Sequence, residues 1–271
     1  MTTSTQWQLA RESAERYQRI LTPTILGPFA RELAGIAALK PGESVLDVGC
    51  GTGAAARYAA EAVGNSGRVV GVDVNASMIE VARSLPQVAG ASIDWRVGSA
   101  AQLPVADADI DVVLCAQTLQ FLPEKETSLF EMQRVIKPGG RVALSLWCEI
   151  EDNPYFHLLT TTIARHIGSE TAAGLEAAFA LSAADKISSL LKTAGFEQIE
   201  MGTCQLKLPL PNLVEFVPRH ISATPMAAGF DRATKAVQLS IVREVSGQLD
   251  RYTMNDRAYI PFKSHMIILK T

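Results

Sequence analysis

Between residues 43 and 147, short apolar runs alternate with stretches of helical character, and no other feature restricts the fold as much. Ser44-Val45-Leu46-Asp47-Val48-Gly49 reads as a buried strand, followed by an Ala-rich helix from Ala54 to about Val63. Arg68-Val69-Val70-Gly71-Val72-Asp73 reads as a second strand, followed by a helix from near Ala76 to Leu85-Pro86. Ile93-Asp94-Trp95-Arg96-Val97 alternates apolar and polar residues, as a strand near a sheet edge does, whereas Asp111-Val112-Val113-Leu114-Cys115 is a continuous apolar run. A helix over Lys125 to Val135 leads to another apolar run, Arg141 to Leu146. Strands separated by helices imply right-handed crossovers and a parallel sheet with helices on both faces. The expected fold class is α/β: a doubly wound, mostly parallel, seven-stranded sheet with a helical cap.

The rest of the chain is less regular. Ala183 to Ala194 reads as a helix ended by Gly195. Phe196 to Met201 and Cys204 to Leu208 read as strand, residues 212–250 as largely helical, and Phe262 to Leu269 as a final strand. The expectation is a single domain over 1–271. Its binding core is 39–147, with 183–209 and 256–271 completing the sheet. Residues 1–38 form an N-terminal helical cap, and 148–182 and 210–255 are cap insertions over the carboxyl edge of the sheet. In open α/β sheets ligands bind at that edge.

With 271 residues, 48% apolar and 20% charged, the chain has a sizeable core and is not disordered. A net charge of −3 with no basic, aromatic-interleaved stripe argues against nucleic acid as a partner. The four cysteines, Cys50, Cys115, Cys148 and Cys204, stand far apart with no C-x-x-C pair, and read as reduced, mostly buried thiols. No run approaches the roughly 20 apolar residues of a membrane span. Met1 to Arg11 is polar with an early Trp7 and lacks the order of a signal peptide, so the expected location is the cytoplasm, with no membrane partner.

The sharpest local signal is Val45-Leu46-Asp47-Val48-Gly49-Cys50-Gly51-Thr52-Gly53, where a strand runs into glycines at alternate positions and then into a helix. Such a loop turns tightly and lets a ligand lie against backbone N–H groups. Asp73, 20 residues after Gly53 and at the end of the second strand, stands where a carboxylate accepts hydrogen bonds from ribose hydroxyls. A pyrophosphate loop would read G-x-G-x-x-G. Here the last place is Ala54, and the third glycine falls one position early.

At these residues the chain resembles the class I S-adenosylmethionine-dependent methyltransferases, which have a Rossmann-like sheet. The matching stretches, in the family's order, are Val45 to Gly53, Val70 to Asp73, Gly98 to Pro104, Asp109 to Val113 and Arg134 to Arg141. A looser match runs through Leu191 to Phe196. Within the family, the chain looks most like the small-molecule branch that contains the ubiquinone and menaquinone C-methyltransferases. The resemblance implies S-adenosyl-L-methionine as cofactor. Gly49, Gly51 and Gly53 then approach its methionine part, and Asp47 helps hold the amino group. Asp73 takes the ribose hydroxyls, Val74 and Met78 flank the adenine, and Ser99 and Ala100 lie at the adenine edge. Cys115, Ala116 and Gln117 lie beneath the cofactor. The family usually has Asp where this chain has Ser99, so the contact to the adenine amino group is expected to be made otherwise.

Methyl transfer needs alignment of acceptor and methyl–sulfur bond, with no covalent protein nucleophile. Consistently, the chain has no G-x-S-x-G elbow, H-E-x-x-H or Walker loop, and no carboxylate cluster for a divalent ion. Among His157, His166, His220 and His265, the first is the candidate base, since Pro154-Tyr155-Phe156 beside it offers apolar walls. Gln120, Phe121, Trp147, Phe156 and His220 are candidate residues of the acceptor pocket. The acceptor is expected to be a small organic molecule. Two other readings stay open: a nicotinamide-dependent oxidoreductase, which the loop spacing and the Lys137-Pro138-Gly139-Gly140 turn oppose, and a non-catalytic S-adenosylmethionine-binding protein.

Overall fold

A computed structural model describes residues 9–255 and 257–270; the first eight residues of the expected N-terminal cap, with Trp7, lie outside the described residues. The chain begins with α1 (Arg11–Leu21), a single π-turn (Thr22–Leu26) and α2 (Gly27–Ile36). The alternating region follows: β1 (Ser44–Val48), α3 (Ala54–Val63), β2 (Arg68–Asp73), α4 (Ala76–Ser84), β3 (Ile93–Val97), β4 (Ile110–Ala116), α5 (Lys125–Val135) and β5 (Ile136–Trp147). Then come α6 (Pro154–His166), α7 (Ser169–Glu176), α8 (Ala184–Thr193), β6 (Gln198–Leu210), α9 (Leu213–Ser222), α10 (Ala227–Arg232), α11 (Lys235–Leu249), the short β7 (Thr253–Met254) and β8 (Arg257–Lys270).

The strands form one sheet in the order β3-β2-β1-β4-β5-β8-β6, with the two-residue β7 pairing beside β8. Pairings from β3 through β5 are parallel, whereas β8 runs antiparallel to both β5 and β6. The central strands are apolar because both their faces are covered: Val45, Leu46, Val112, Val113 and Leu114 are all fully buried. At the two edges, β3 mixes exposed with partly buried residues, and β6 does the same until Leu208 and Leu210, which are buried. The strand expected over 196–208 as two pieces is one ladder of 13 residues, because β8 pairs with it continuously through Gly202 and Thr203.

Two apolar cores sandwich the sheet. Phe29, Leu33, Ala56, Ala59, Val112 and Leu114 belong to one, and Leu46, Val113, Cys115, Leu129 and Met132 to the other. Of the N-terminal segment, α2 packs against the sheet beside α3, with Phe29 and Leu33 fully buried, while Tyr17 and Leu21 of α1, Ile25 and Leu26 of the π-turn and Ala30 of α2 line the cavity at the ligand edge. Helices α6, α9 and α11 pack on one another. An aromatic cluster fastens them to the sheet: Trp147 of β5 meets Phe29 at 4.9 Å and Phe156 at 5.3 Å, and Phe156 meets Phe262 of β8 at 5.2 Å between ring centroids. Among the described residues, no helix is long and apolar enough to cross a membrane.

Candidate active site

The strand order reverses direction at β1, with β2 on one side and β4 on the other. The loops leaving the carboxyl ends of adjacent strands diverge at such a switch point and open a crevice. Here the crevice is a cavity of about 220 Å³, bounded by the ends of β1, β2 and β4, roofed by α1, and walled by α6, α7 and α9.

Its first half is acidic. The Gly49 backbone is left-handed (φ 66°), and a Cβ there would lie 2.1 Å from Thr118 Cγ2, so the close approach of the β1 and β4 loops requires glycine. Thr118 Oγ1 lies 3.0 Å from the Gly49 carbonyl oxygen, to which it donates. Asp73 Oδ2 accepts from Gly51 N–H and Oδ1 from Asn75 N–H, each at 2.8 Å. Asn75 in turn caps α4, its Oδ1 accepting from Ser77 N–H at 2.9 Å, and its Nδ2 donates to the Leu9 carbonyl at 3.0 Å. That capping network fixes the Asp73 carboxylate at the cavity wall.

Asp47 is buried (1% exposed); its Oδ2 accepts from Ala56 N–H at 2.9 Å, while Oδ1 has no partner among the described residues. Burial pushes the Asp47 carboxyl up to about 7, with the nearby Asp73 charge adding to it and the Ala56 N–H opposing it. Burial also raises Asp73, against its two backbone donors. The Tyr17 phenol and the Cys50 thiol are held protonated, first by burial and then by these two carboxylates. Among the described residues lining the cavity, Asp47 and Asp73 are the only side chains that ionise as acids or bases of full charge near neutrality, and none is Lys or Arg. This half therefore suits a cationic ligand with hydroxyl and ammonium donors.

The second half is apolar, lined by Leu21, Ile25, Phe121, Leu122, Trp147, Phe156, Leu175 and Ala178, with His220 and Thr224 as its polar edge. Of the residues singled out from sequence, Asp47, Gly49, Gly51, Asp73, Val74, Met78, Ala100, Ala116, Gln117, Phe121, Trp147, Phe156 and His220 line this one cavity. Gln117 is left-handed (φ 51°), an uncommon conformation for a residue with a side chain and one that clusters at functional sites.

Five others do not line it. Gly53 (φ 89°) faces Trp95 instead: a Cβ there would lie 2.2 Å from the indole, so packing between α3 and β3 explains this glycine. Ser99 is exposed and its Oγ accepts from Ala101 N–H at 3.1 Å, closing a local turn. Cys115 points into the core on the opposite face of the sheet. Gln120 is buried, and neither of its amide atoms has a hydrogen-bond partner among the described residues. His157 is turned away: successive helical side chains diverge by about 100°, so Phe156 facing the cavity directs its neighbour elsewhere. The sequence reading missed Tyr17, Asn75, Thr118 and Thr224. Only Asn75 carried a local signal, as the helix-capping residue two positions after Asp73.

Comparison with known proteins agrees with this geometry. Residues 45–140 match the model of a methyltransferase domain. The ubiquinone/menaquinone biosynthesis C-methyltransferase of Ralstonia pickettii is 30% identical over 175 residues, covering 60% of this chain and 71% of that protein. The arsenite methyltransferase of Halobacterium salinarum is 34% identical over 166 residues, covering 61% of this chain and 40% of that one. A methyltransferase structure from Aquifex aeolicus, at 18% identity, superposes with a TM-score of 0.53 over 96% of this chain and 98% of its own, which speaks for the fold alone. The sheet, and the glycine turn at its switch point, define a Rossmann-like α/β protein. The chain belongs to the class I S-adenosylmethionine-dependent methyltransferases, with S-adenosylmethionine as their cofactor, and resembles the ubiquinone/menaquinone C-methyltransferases among them. It spans only 40–48% of the length of several other curated relatives.

Proposed function

We propose that this chain transfers a methyl group from S-adenosylmethionine to an oxygen, nitrogen or carbon atom of a small, largely apolar organic acceptor. One observation carries the reading: a single cavity in which an acidic half, built by Asp47, Gly51 and Asp73, continues directly into an aromatic half built by Phe121, Trp147 and Phe156. S-adenosylmethionine supplies, when bound, a methyl group on a positively charged sulfur. The chain's part is to bind, align and keep water away. Asp73, braced by the Gly51 and Asn75 N–H groups, takes ribose hydroxyls, and the free Asp47 oxygen takes the ammonium, directly or through water. The aromatic walls hold the acceptor against the cofactor half, and proximity and orientation account for most of the acceleration. Enclosure by α1, α6 and α9 favours a small molecule over a protein surface.

Arsenic(III) as acceptor is disfavoured, because that element is held by several soft thiolates. Cys50 is the one cysteine lining the cavity, and its thiol is pushed well above the ordinary range. The test is to incubate the protein with methyl-labelled S-adenosylmethionine and a metabolite extract, and to search by mass spectrometry for labelled products. A labelled small molecule is expected. Cofactor binding without any product would leave a binding protein, and no cofactor binding would defeat the reading.

A further inference from the structure

Within the acceptor half, His220 is built in an unusual way. It sits on α9, 1% exposed, yet its Nδ1 has no hydrogen-bond partner among the described residues. Its ring is caged by Tyr155 at 5.2 Å, Phe216 at 5.8 Å and Phe156 at 5.9 Å between centroids. Nδ1 is sealed in this cage without a partner, which leaves Nε2 as the nitrogen that opens on the cavity. A polar ring buried among aromatic side chains at the wall of a cavity is rare without a partner, and the nitrogen that borders the cavity is the one a ligand can reach.

The tautomer follows from the cage. Aromatic faces carry negative charge, which suits an N–H and opposes a lone pair. The hydrogen therefore belongs on Nδ1, and the Nε2 lone pair faces the cavity. Burial pushes the imidazole down to about 3, and no charged neighbour contributes, so the ring stays neutral and does not serve as a strong base. The neighbouring Thr224 hydroxyl donates its one hydrogen to the Ile221 carbonyl at 2.8 Å, so it has none left to donate to the acceptor.

We infer that His220 selects the acceptor: its Nε2 accepts a hydrogen bond from an O–H or N–H of the molecule to be methylated, and so orients it and rejects analogues that lack that hydrogen. The inference rests on the methyltransferase reading above and adds the residue that chooses among apolar acceptors.

The test uses the full chain loaded with S-adenosylhomocysteine, with 4-propylphenol and its methyl ether as probes in titration calorimetry. The wild type is expected to bind the phenol at least about tenfold more tightly than the ether, since a site left with an unpaired polar group discriminates strongly. His220→Phe fills the same cage without nitrogen; it should melt no lower than the wild type, bind S-adenosylhomocysteine equally well and lose the preference. Equal affinities for phenol and ether in the wild type, absence of binding by both, or a preference that survives His220→Phe would each overturn the inference. Nitrogen-15 NMR of the histidines checks the wild type independently, and a protonated Nε2 on His220 would also overturn it. Failure of the wild type to bind S-adenosylhomocysteine is a separate result, and defeats the methyltransferase reading itself.

Discussion

The Ala56 N–H donates to Asp47 Oδ2 at 2.9 Å, and within the described residues this is the sole hydrogen bond that the buried carboxyl group receives. One donor is too few to offset burial, which is why the carboxyl titrates near 7 and not near 4. A cationic cofactor favours the ionised form. Affinity for S-adenosylmethionine should therefore rise with pH between 5.5 and 7.5, approaching a limiting slope of about tenfold per unit below the pKa. The unliganded protein should behave oppositely. A carboxyl raised in the folded state binds more protons folded than unfolded, so stability declines as pH rises from about 4 to about 7. Calorimetry and thermal melts across that range check both slopes. Asp47→Asn should reduce both slopes to what the likewise raised Asp73 contributes, and a wild type already flat in both would show that Asp47 does not titrate there.

Asp73 joins the loop after β1 to the cap of α4 through the Gly51 and Asn75 N–H groups. Hydrogen bonds to a charged group are worth about 1.5–3 kcal/mol. Asp73→Ala removes these and the ribose acceptors together, and should weaken cofactor binding roughly 10- to 150-fold while the chain still folds. Titration of a variant verified by circular dichroism measures this. Affinity equal to that of the wild type would reject the cofactor placement.

The glycines of the β1 loop should separate by role. Gly53→Ala meets the Trp95 indole at 2.2 Å in a left-handed backbone, and is expected to lose at least about 2 kcal/mol of stability by overpacking and strain. Its folded fraction should keep its affinity for S-adenosylhomocysteine. Trp95→Ala in the same chain should restore part of the loss in chemical denaturation, leaving the left-handed strain. A variant that melts like the wild type but binds the cofactor poorly would return Gly53 to the binding loop.

How much was legible follows from the range of each signal. The core from β1 to β5 is written locally, in apolar runs separated by helical stretches, and it is the part that the sequence reading delimits well. The purpose of Gly53 is not local: Trp95 stands 42 positions away and reaches it only once β3 pairs beside β2. The same holds for Tyr17 and Thr118, which enter the site because α1 folds over the sheet and the β4 loop closes against Gly49. Asp47 and Asp73 were readable because the strand-to-loop junctions that place them are themselves sequence patterns. The choice between His157 and His220 required the phase of α6 and the packing of α9, which no short window contains.

That choice yields the last prediction, on two adjacent residues of α6. Phe156 lines the cavity and packs edge-on against Trp147 at 5.3 Å, whereas the half-buried His157 lies off the cavity. If α6 presents only one side to the acceptor, the two substitutions must differ in kind. Phe156→Ala opens the aromatic wall, and should raise KM for the acceptor at least about tenfold and cost roughly 3 kcal/mol of stability. His157→Ala should leave kcat and both KM values within about twofold, as expected of a residue outside the reacting volume. Steady-state kinetics on both variants, with whichever acceptor the labelling experiment identifies, makes the comparison. A kcat for His157→Ala lower by a hundredfold with an intact melting curve would restore it as the base, and would mean that α6 rotates when the acceptor binds.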